Sequence, residues 1–168
     1  MIKNNILFFS CILLFFGCKQ VTKHNKTLLF VGSFTDKKAG EGIHVYEFNN
    51  ETGESILKST INNITNTSFL KLSSNGKHLY SVVDSQMKYN GKVAAFKVDV
   101  INTKISLLNM QDCGGVNPAH LEIDKTGSYL VNSNYSDGSL SIFKINNDGS
   151  LEKNNQTLQF KDSSVLKS

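Results

Sequence analysis

At 168 residues, 39% hydrophobic and 19% charged, with a single proline, the chain has the composition of a folded globular protein rather than a disordered one. Its formal charge of +4 comes from 18 basic residues, all of them lysine and none gathered into a run. Without arginine to grip guanine or phosphate with two parallel hydrogen bonds, and without a basic stripe, nucleic acid is excluded as a partner class.

Residues 1–17 read as a secretory leader: Lys3 in a short charged start, then an apolar stretch from Ile6 to Phe16 that also holds Ser10 and Cys11. That stretch is well short of the roughly 20 residues a membrane-spanning helix requires. Phe15-Phe16-Gly17-Cys18 resembles a bacterial lipobox, although Phe16 is bulkier than such motifs prefer. The resemblance implies lipidation of Cys18, export, and membrane anchoring through the lipid on the periplasmic or outer side. A plain cleaved signal is the alternative. Residues 18–27 then form a polar tether, and 28–168 the folded domain.

Three related units follow. Leu28 to Phe34, Leu79 to Asp84 and Leu130 to Tyr135 are β-rich runs, each followed by a loop and a second strand. The second strands align slot by slot: Ile43, Val93 and Leu140; then Tyr46, Phe96 and Phe143; then Phe48, Val98 and Ile145, at intervals of 50 and 47 residues. Turn sequences at Asn49 to Glu54, Val100 to Lys104 and Asn146 to Gly149 lead into a further strand each. An inner strand precedes the second and third units, at Phe69 to Ser73 and His120 to Asp124, but not the first. Four short antiparallel strands per unit predict an all-β fold of propeller blades, with fewer than three complete blades present. Because the first unit lacks its inner strand and propellers close with four to eight blades, the chain is expected to be the N-terminal fragment of a larger ring.

FVGSFTDKKAGEGIHVYEFNNETGE, SFLKLSSNGKHLYSVVD and NPAHLEIDKTGSYLVNSNYSDGSLSIFKINNDGSL together resemble the seven-bladed β-propeller lactonase family. That family includes propeller-type 6-phosphogluconolactonases and is related to carboxymuconate-lactonizing enzymes. The resemblance implies a monomeric hydrolase for a sugar lactone, turning 6-phosphogluconolactone into 6-phosphogluconate. It also implies Arg and Glu partners for a catalytic histidine from later blades, which this chain does not contain.

His120 is the candidate catalytic residue. Its counterpart one blade earlier is Phe69, so an imidazole replaces an apolar side chain at an equivalent slot. Imidazole ionises near neutral pH and can take a proton from a water attacking the lactone carbonyl. Asn134 and Tyr135, whose counterparts are Val83 and Asp84, are candidates for orienting sugar hydroxyls. Gly114 and Gly115 read as a loop turn, and Asp124, Asp137 and Asp148 as turn caps. Cys113 would be the only thiol of the mature domain left unmodified, with no activating base in view. No His, Cys or carboxylate set has metal-ligand spacing, and no cofactor motif is present. Two other readings stay open: a non-catalytic surface propeller that binds protein or glycan, and a muconate-type lactonizing isomerase.

Overall fold

The computed structural model describes residues 27–160, so the leader, Cys18 and most of the tether lie outside the described residues. Within them are eleven strands in three antiparallel sheets and no helix. The first sheet holds β1 (Thr27–Gly32), β2 (Ile43–Phe48) and β3 (Ser55–Ile61), side by side in that order. The second runs β4 (Leu70–Leu72), β5 (His78–Val83), β6 (Asn90–Asp99) and β7 (Lys104–Val116). The third runs β8 (Pro118–Ile123), β9 (Tyr129–Asn134), β10 (Ser139–Lys144) and β11 (Gln156–Gln159). These are blades I, II and III, and among the described residues blade I has no inner strand, as the repeat predicts.

Alternation along the strands explains how the blades stack. A strand presents successive side chains to opposite faces. In β5 and β6, Leu79, Val83, Ala94, Phe96 and Val98 pack with Ile43, Val45 and Ile64 of the first unit. Their neighbours Tyr80, Val82, Val93 and Ala95 pack the other way, with Leu121, Leu130, Phe143 and Leu151 of blade III. Blade II is therefore apolar on both faces and sandwiched. Each fully buried large side chain contributes about 1.5–3 kcal/mol by leaving water.

The sheets share two ends. At the loop end lie residues 33–42, 84–89, 135–138 and the short link at Asn117. The hairpin end carries the turns at 49–54, 73–77, 100–103 and 124–128, where polar side chains hold the backbone. Asn49 Oδ1 accepts from Glu51 N at 2.9 Å and Thr52 N at 3.2 Å. Asp124 accepts from the Thr126 hydroxyl and from Tyr129 N and Ser128 N, the latter two at 2.8 Å, and these bonds, the Thr126 hydroxyl's first, lower its carboxyl to about 2. The capping role read for Asp124 follows from those bonds.

One local expectation is corrected. Gly114 and Gly115 are not a loop turn but the last part of the long strand β7. A Cβ at Gly115 would collide with the Asn134 side chain, so the pair serves close approach between blades II and III.

Phe96 fills the blade I/II core, whereas Ile101 stands at an exposed hairpin tip. Phe96→Ala should cost about 3–5 kcal/mol in urea unfolding, and Ile101→Ala should stay within about 0.5 kcal/mol of wild type.

Candidate active site

The entry into β8 is shaped by three local features. Asn117 adopts a left-handed backbone, φ 61°, which asparagine tolerates better than most residues. Its carboxamide Oδ1 accepts from Gln86 N at 2.7 Å and Ser85 Oγ at 3.1 Å, fastening the blade II loop. The Pro118 ring then lies against Gly91 of β6, where any Cβ would collide with it. Finally, the pairing of β8 with β9 slips between Pro118 and His120, so that Pro118 faces Asn134 while His120 faces Ser133. Such a bulge turns the side chain that follows it.

His120 emerges exposed from this bulge on the innermost strand of blade III. Its ring lies 4.4 Å from that of Phe69 and is tilted by 50° to it. Residues that occupy equivalent slots in successive blades thus touch. Two positions further along each strand, Lys71 Nζ and Glu122 Oε1 form an ion pair at 2.7 Å. Lys71 first, then the Ile123 N–H and more weakly His120, hold the Glu122 carboxyl below its usual range.

The other two candidates divide sharply. Tyr135 is 79% exposed, and its backbone N donates to Asn117 O at 2.9 Å, which ties its loop to the same link that fastens Ser85 and Gln86. Asn134 is only 2% exposed. Its Nδ2 donates to Ser139 Oγ at 2.9 Å and Ser141 Oγ at 3.0 Å, while its Oδ1 accepts from Asn132 Nδ2 at 2.6 Å and from the Cys113 thiol at 3.2 Å. The amide is committed to the blade II/III interface. The structure therefore brings His120 and Tyr135 to the loop end as accessible groups and sets Asn134 behind them.

Cys113 is fully buried, and burial pushes its thiol up to about 11. That is the opposite of an activated nucleophile. Among the described residues no group of three or more His, Cys, Asp or Glu side chains is placed to hold a metal ion.

Two features had escaped attention in the sequence. Asn66, with φ 43°, repeats the role of Asn117 one blade earlier: its Oδ1 accepts from Thr35 N at 3.0 Å and its Nδ2 donates to Ser85 O at 2.8 Å. The signal was present, since Asn66-Thr67-Ser68-Phe69 and Asn117-Pro118-Ala119-His120 stand in register 51 residues apart. The second is Asp84, the slot counterpart of Tyr135. It is buried and paired with Lys92 Nζ at 3.0 Å.

Residues 28–168 match the family described as "Lactonase, 7-bladed beta-propeller". The chain belongs to the seven-bladed β-propeller lactonase family. Within the family it is 54% identical over 139 residues to a 6-phosphogluconolactonase of Formosa agariphila, an alignment covering 83% of this chain and 39% of that protein. It is 28% identical over 127 residues to a 6-phosphogluconolactonase of Bacillus subtilis, covering 76% and 36%. Among solved lactonase-family structures, a candidate 6-phosphogluconolactonase from Bacteroides fragilis superposes with a TM-score of 0.75 at 34% identity, over 84% of this chain and 38% of that one. The chain thus spans about two-fifths of the length of these relatives, in line with fewer than three blades of seven.

Two outcomes test the buried network. A thiol reagent at pH 8 should leave Cys113 unmodified in the native protein and alkylate it in urea, as read by mass. Because the folded thiol titrates near 11 rather than at 9.0, its contribution to stability is full below pH 9 and fades as pH rises through about 11. Cys113→Ala should accordingly lose less stability than wild type between pH 9 and 11.

At the link itself, Asn117→Gly retains freedom for the left-handed backbone but removes the carboxamide acceptor. It should cost about 0.5–1.5 kcal/mol in thermal or urea unfolding.

Proposed function

We propose that this chain is part of a sugar-lactone hydrolase of the 6-phosphogluconolactonase type, with His120 as its general base. The observation that carries the reading is the exposed imidazole at the bulged start of β8, where the preceding blade has a phenylalanine. The kinship with 6-phosphogluconolactonases supports it.

The chemistry asks little of the protein beyond placement. His120 takes a proton from water as its oxygen attacks the lactone carbonyl carbon. The tetrahedral intermediate collapses by breaking the bond to the ring oxygen. The proton held on the imidazole returns to that oxygen as it leaves, and the product is the open-chain hydroxy acid. Phe69 fixes one side of the imidazole, leaving its polar edge for water. Tyr135 offers a phenol to sugar hydroxyls, and Asn134 acts through position, holding the end of β9 from which Tyr135 projects. Groups that polarise the carbonyl fall to the part of the relatives' length this chain does not span.

The same reading includes location. The leader and Phe15-Phe16-Gly17-Cys18 support an exported lipoprotein anchored through Cys18, with the enzyme acting on lactones outside the cytoplasm. Among the described residues no helix is long and apolar enough to cross a membrane.

The test is an assay of the longest reading frame encoding this chain, on gluconolactone and on its 6-phosphate. His120→Ala, with an unchanged circular dichroism spectrum, should lower kcat/KM by about 10²–10⁴-fold. The ratio of rates on the two lactones then reports whether the substrate is phosphorylated. A folded protein that opens neither lactone would sink the hydrolase reading for these substrates and leave the surface-binding propeller in its place.

A further inference from the structure

Three turns converge at the hairpin end between blades II and III. The β4–β5 turn at 73–77, the β8–β9 turn at 124–128 and the turn after β10 at 146–149 enclose a cavity of about 290 Å³. Its floor is the buried Tyr80 with Ile123 and Ile145. The cavity shares no residue with the candidate active site, which lies at the other end of the strands.

The walls are held in place by bonds of their own. In the β4–β5 turn, Asn75 Oδ1 accepts from Ser73 Oγ at 2.8 Å and from Lys77 N at 3.0 Å. In the turn after β10, Asn146 Nδ2 donates to Ser150 Oγ at 3.0 Å, and Asp148 Oδ1 accepts from Ser150 N at 3.0 Å. The Asp124 carboxylate fixes the third turn. Two contacts lock the blades together beneath them: Tyr80 OH donates to Gly149 O at 3.0 Å, and the His78 ring sits where any Cβ at Gly149 would collide with it. Walls set in advance spare a ligand the cost of ordering them.

Some polar groups on these walls are unspent. The Ser74 hydroxyl, the Asn147 carboxamide and Asn75 Nδ2 have no hydrogen-bond partner among the described residues, and Ser74 and Asn147 are exposed at the rim. No Lys, Asp or Glu lines the cavity. Burial, which outweighs the opposing pull of Asp148, holds the His78 imidazole below its usual range, so the ring is uncharged at neutral pH.

Neutral donors and acceptors around a partly apolar floor suit a ligand with hydroxyls at its edge and C–H bonds on its face. The volume is at the lower end for small-molecule sites and fits a single pyranose ring. A phosphate or carboxylate would meet no cation on the lining. From this geometry we propose that the cavity is a second binding site, for a neutral hexose-sized sugar. The site is independent of the hydrolase reading and of His120.

The test titrates the product of the longest reading frame encoding this chain with glucose, galactose, mannose and N-acetylglucosamine, by ligand-observed NMR. At least one should bind. Ser74→Ala combined with Asn147→Ala should weaken that sugar about tenfold or more, and Ser74→Trp, which fills the mouth, should abolish its binding. His120→Ala and Tyr135→Ala should leave its Kd within about twofold, and glucose 6-phosphate should bind no more tightly than glucose. Circular dichroism melting checks that each variant folds, and the alanine pair carries the test if tryptophan disturbs the turn. Absence of binding by every sugar overturns the site. Binding that survives the Ser74 and Asn147 changes but is lost in His120→Ala places the sugar at the loop end and overturns it equally, and tighter binding of the phosphate overturns its neutral character. Failure of the hydrolase reading is separately visible, as no turnover of either lactone by a protein that still binds the sugar and loses it in Ser74→Trp.

Discussion

Everything in this molecule depends on a sheet that cannot tolerate water on either face. The two central strands of blade II, β5 and β6, alternate Leu79, Val83, Ala94, Phe96 and Val98 toward one neighbour with Tyr80, Val82, Val93 and Ala95 toward the other. A twisted antiparallel sheet with two apolar faces must be sandwiched, and blades I and III supply the two sides. Stacking of that kind sets the inner strands β4 and β8 side by side, and with them Phe69 against His120 and Lys71 against Glu122. The candidate site is thus a product of blade packing rather than of a dedicated loop.

Packing alone would leave the loop end loosely defined, and the polar groups correct this. Asn66 and Asn117 each adopt a backbone few other residues accept and use the carboxamide to hold the loop of the blade before them. Asn134, Ser139, Ser141 and the Cys113 thiol form a buried network that engages both ends of the Asn134 amide, while Oδ1 of the adjoining Asn132 stays buried without a partner among the described residues. Such groups are costly to bury alone and specify geometry when paired. They keep the end of β9, and so Tyr135, in a single position relative to β8.

Much of the architecture was legible because strands write their period and their turns directly into the residue order. The slots shared by Ile43, Val93 and Leu140 predicted three units, and the polar turns between them predicted antiparallel pairing. His120 stood out for a related reason, as an imidazole at a repeat position held elsewhere by an apolar ring. What could not be read were contacts between strands distant in sequence. Asn134 looked like a ligand-binding amide because its partners come from β7, β9 and β10. Gly114 and Gly115 looked like a turn because their reason for being glycine is the approach of blade III. Asp84 drew notice only as a slot counterpart, since its partner Lys92 lies across a loop.

The asparagine links also give the fold a direction. Asn66 closes the loop of blade I and Asn117 that of blade II, so each of these loops is held in part by the link that follows it, while Asn66 also reaches forward to Ser85 O in the blade II loop. During synthesis from the N-terminus, a blade's loop end gains this bond only when about thirty further residues have emerged, and it stays adjustable until then. Damage at one link should therefore be felt on both sides of it, in the loop of the preceding blade and in that of the blade it opens. The loop that carries Tyr135 occupies the same place in blade III as the two loops so held, and it takes its own setting from the link before it, Tyr135 N donating to Asn117 O and Ser136 N to Val116 O.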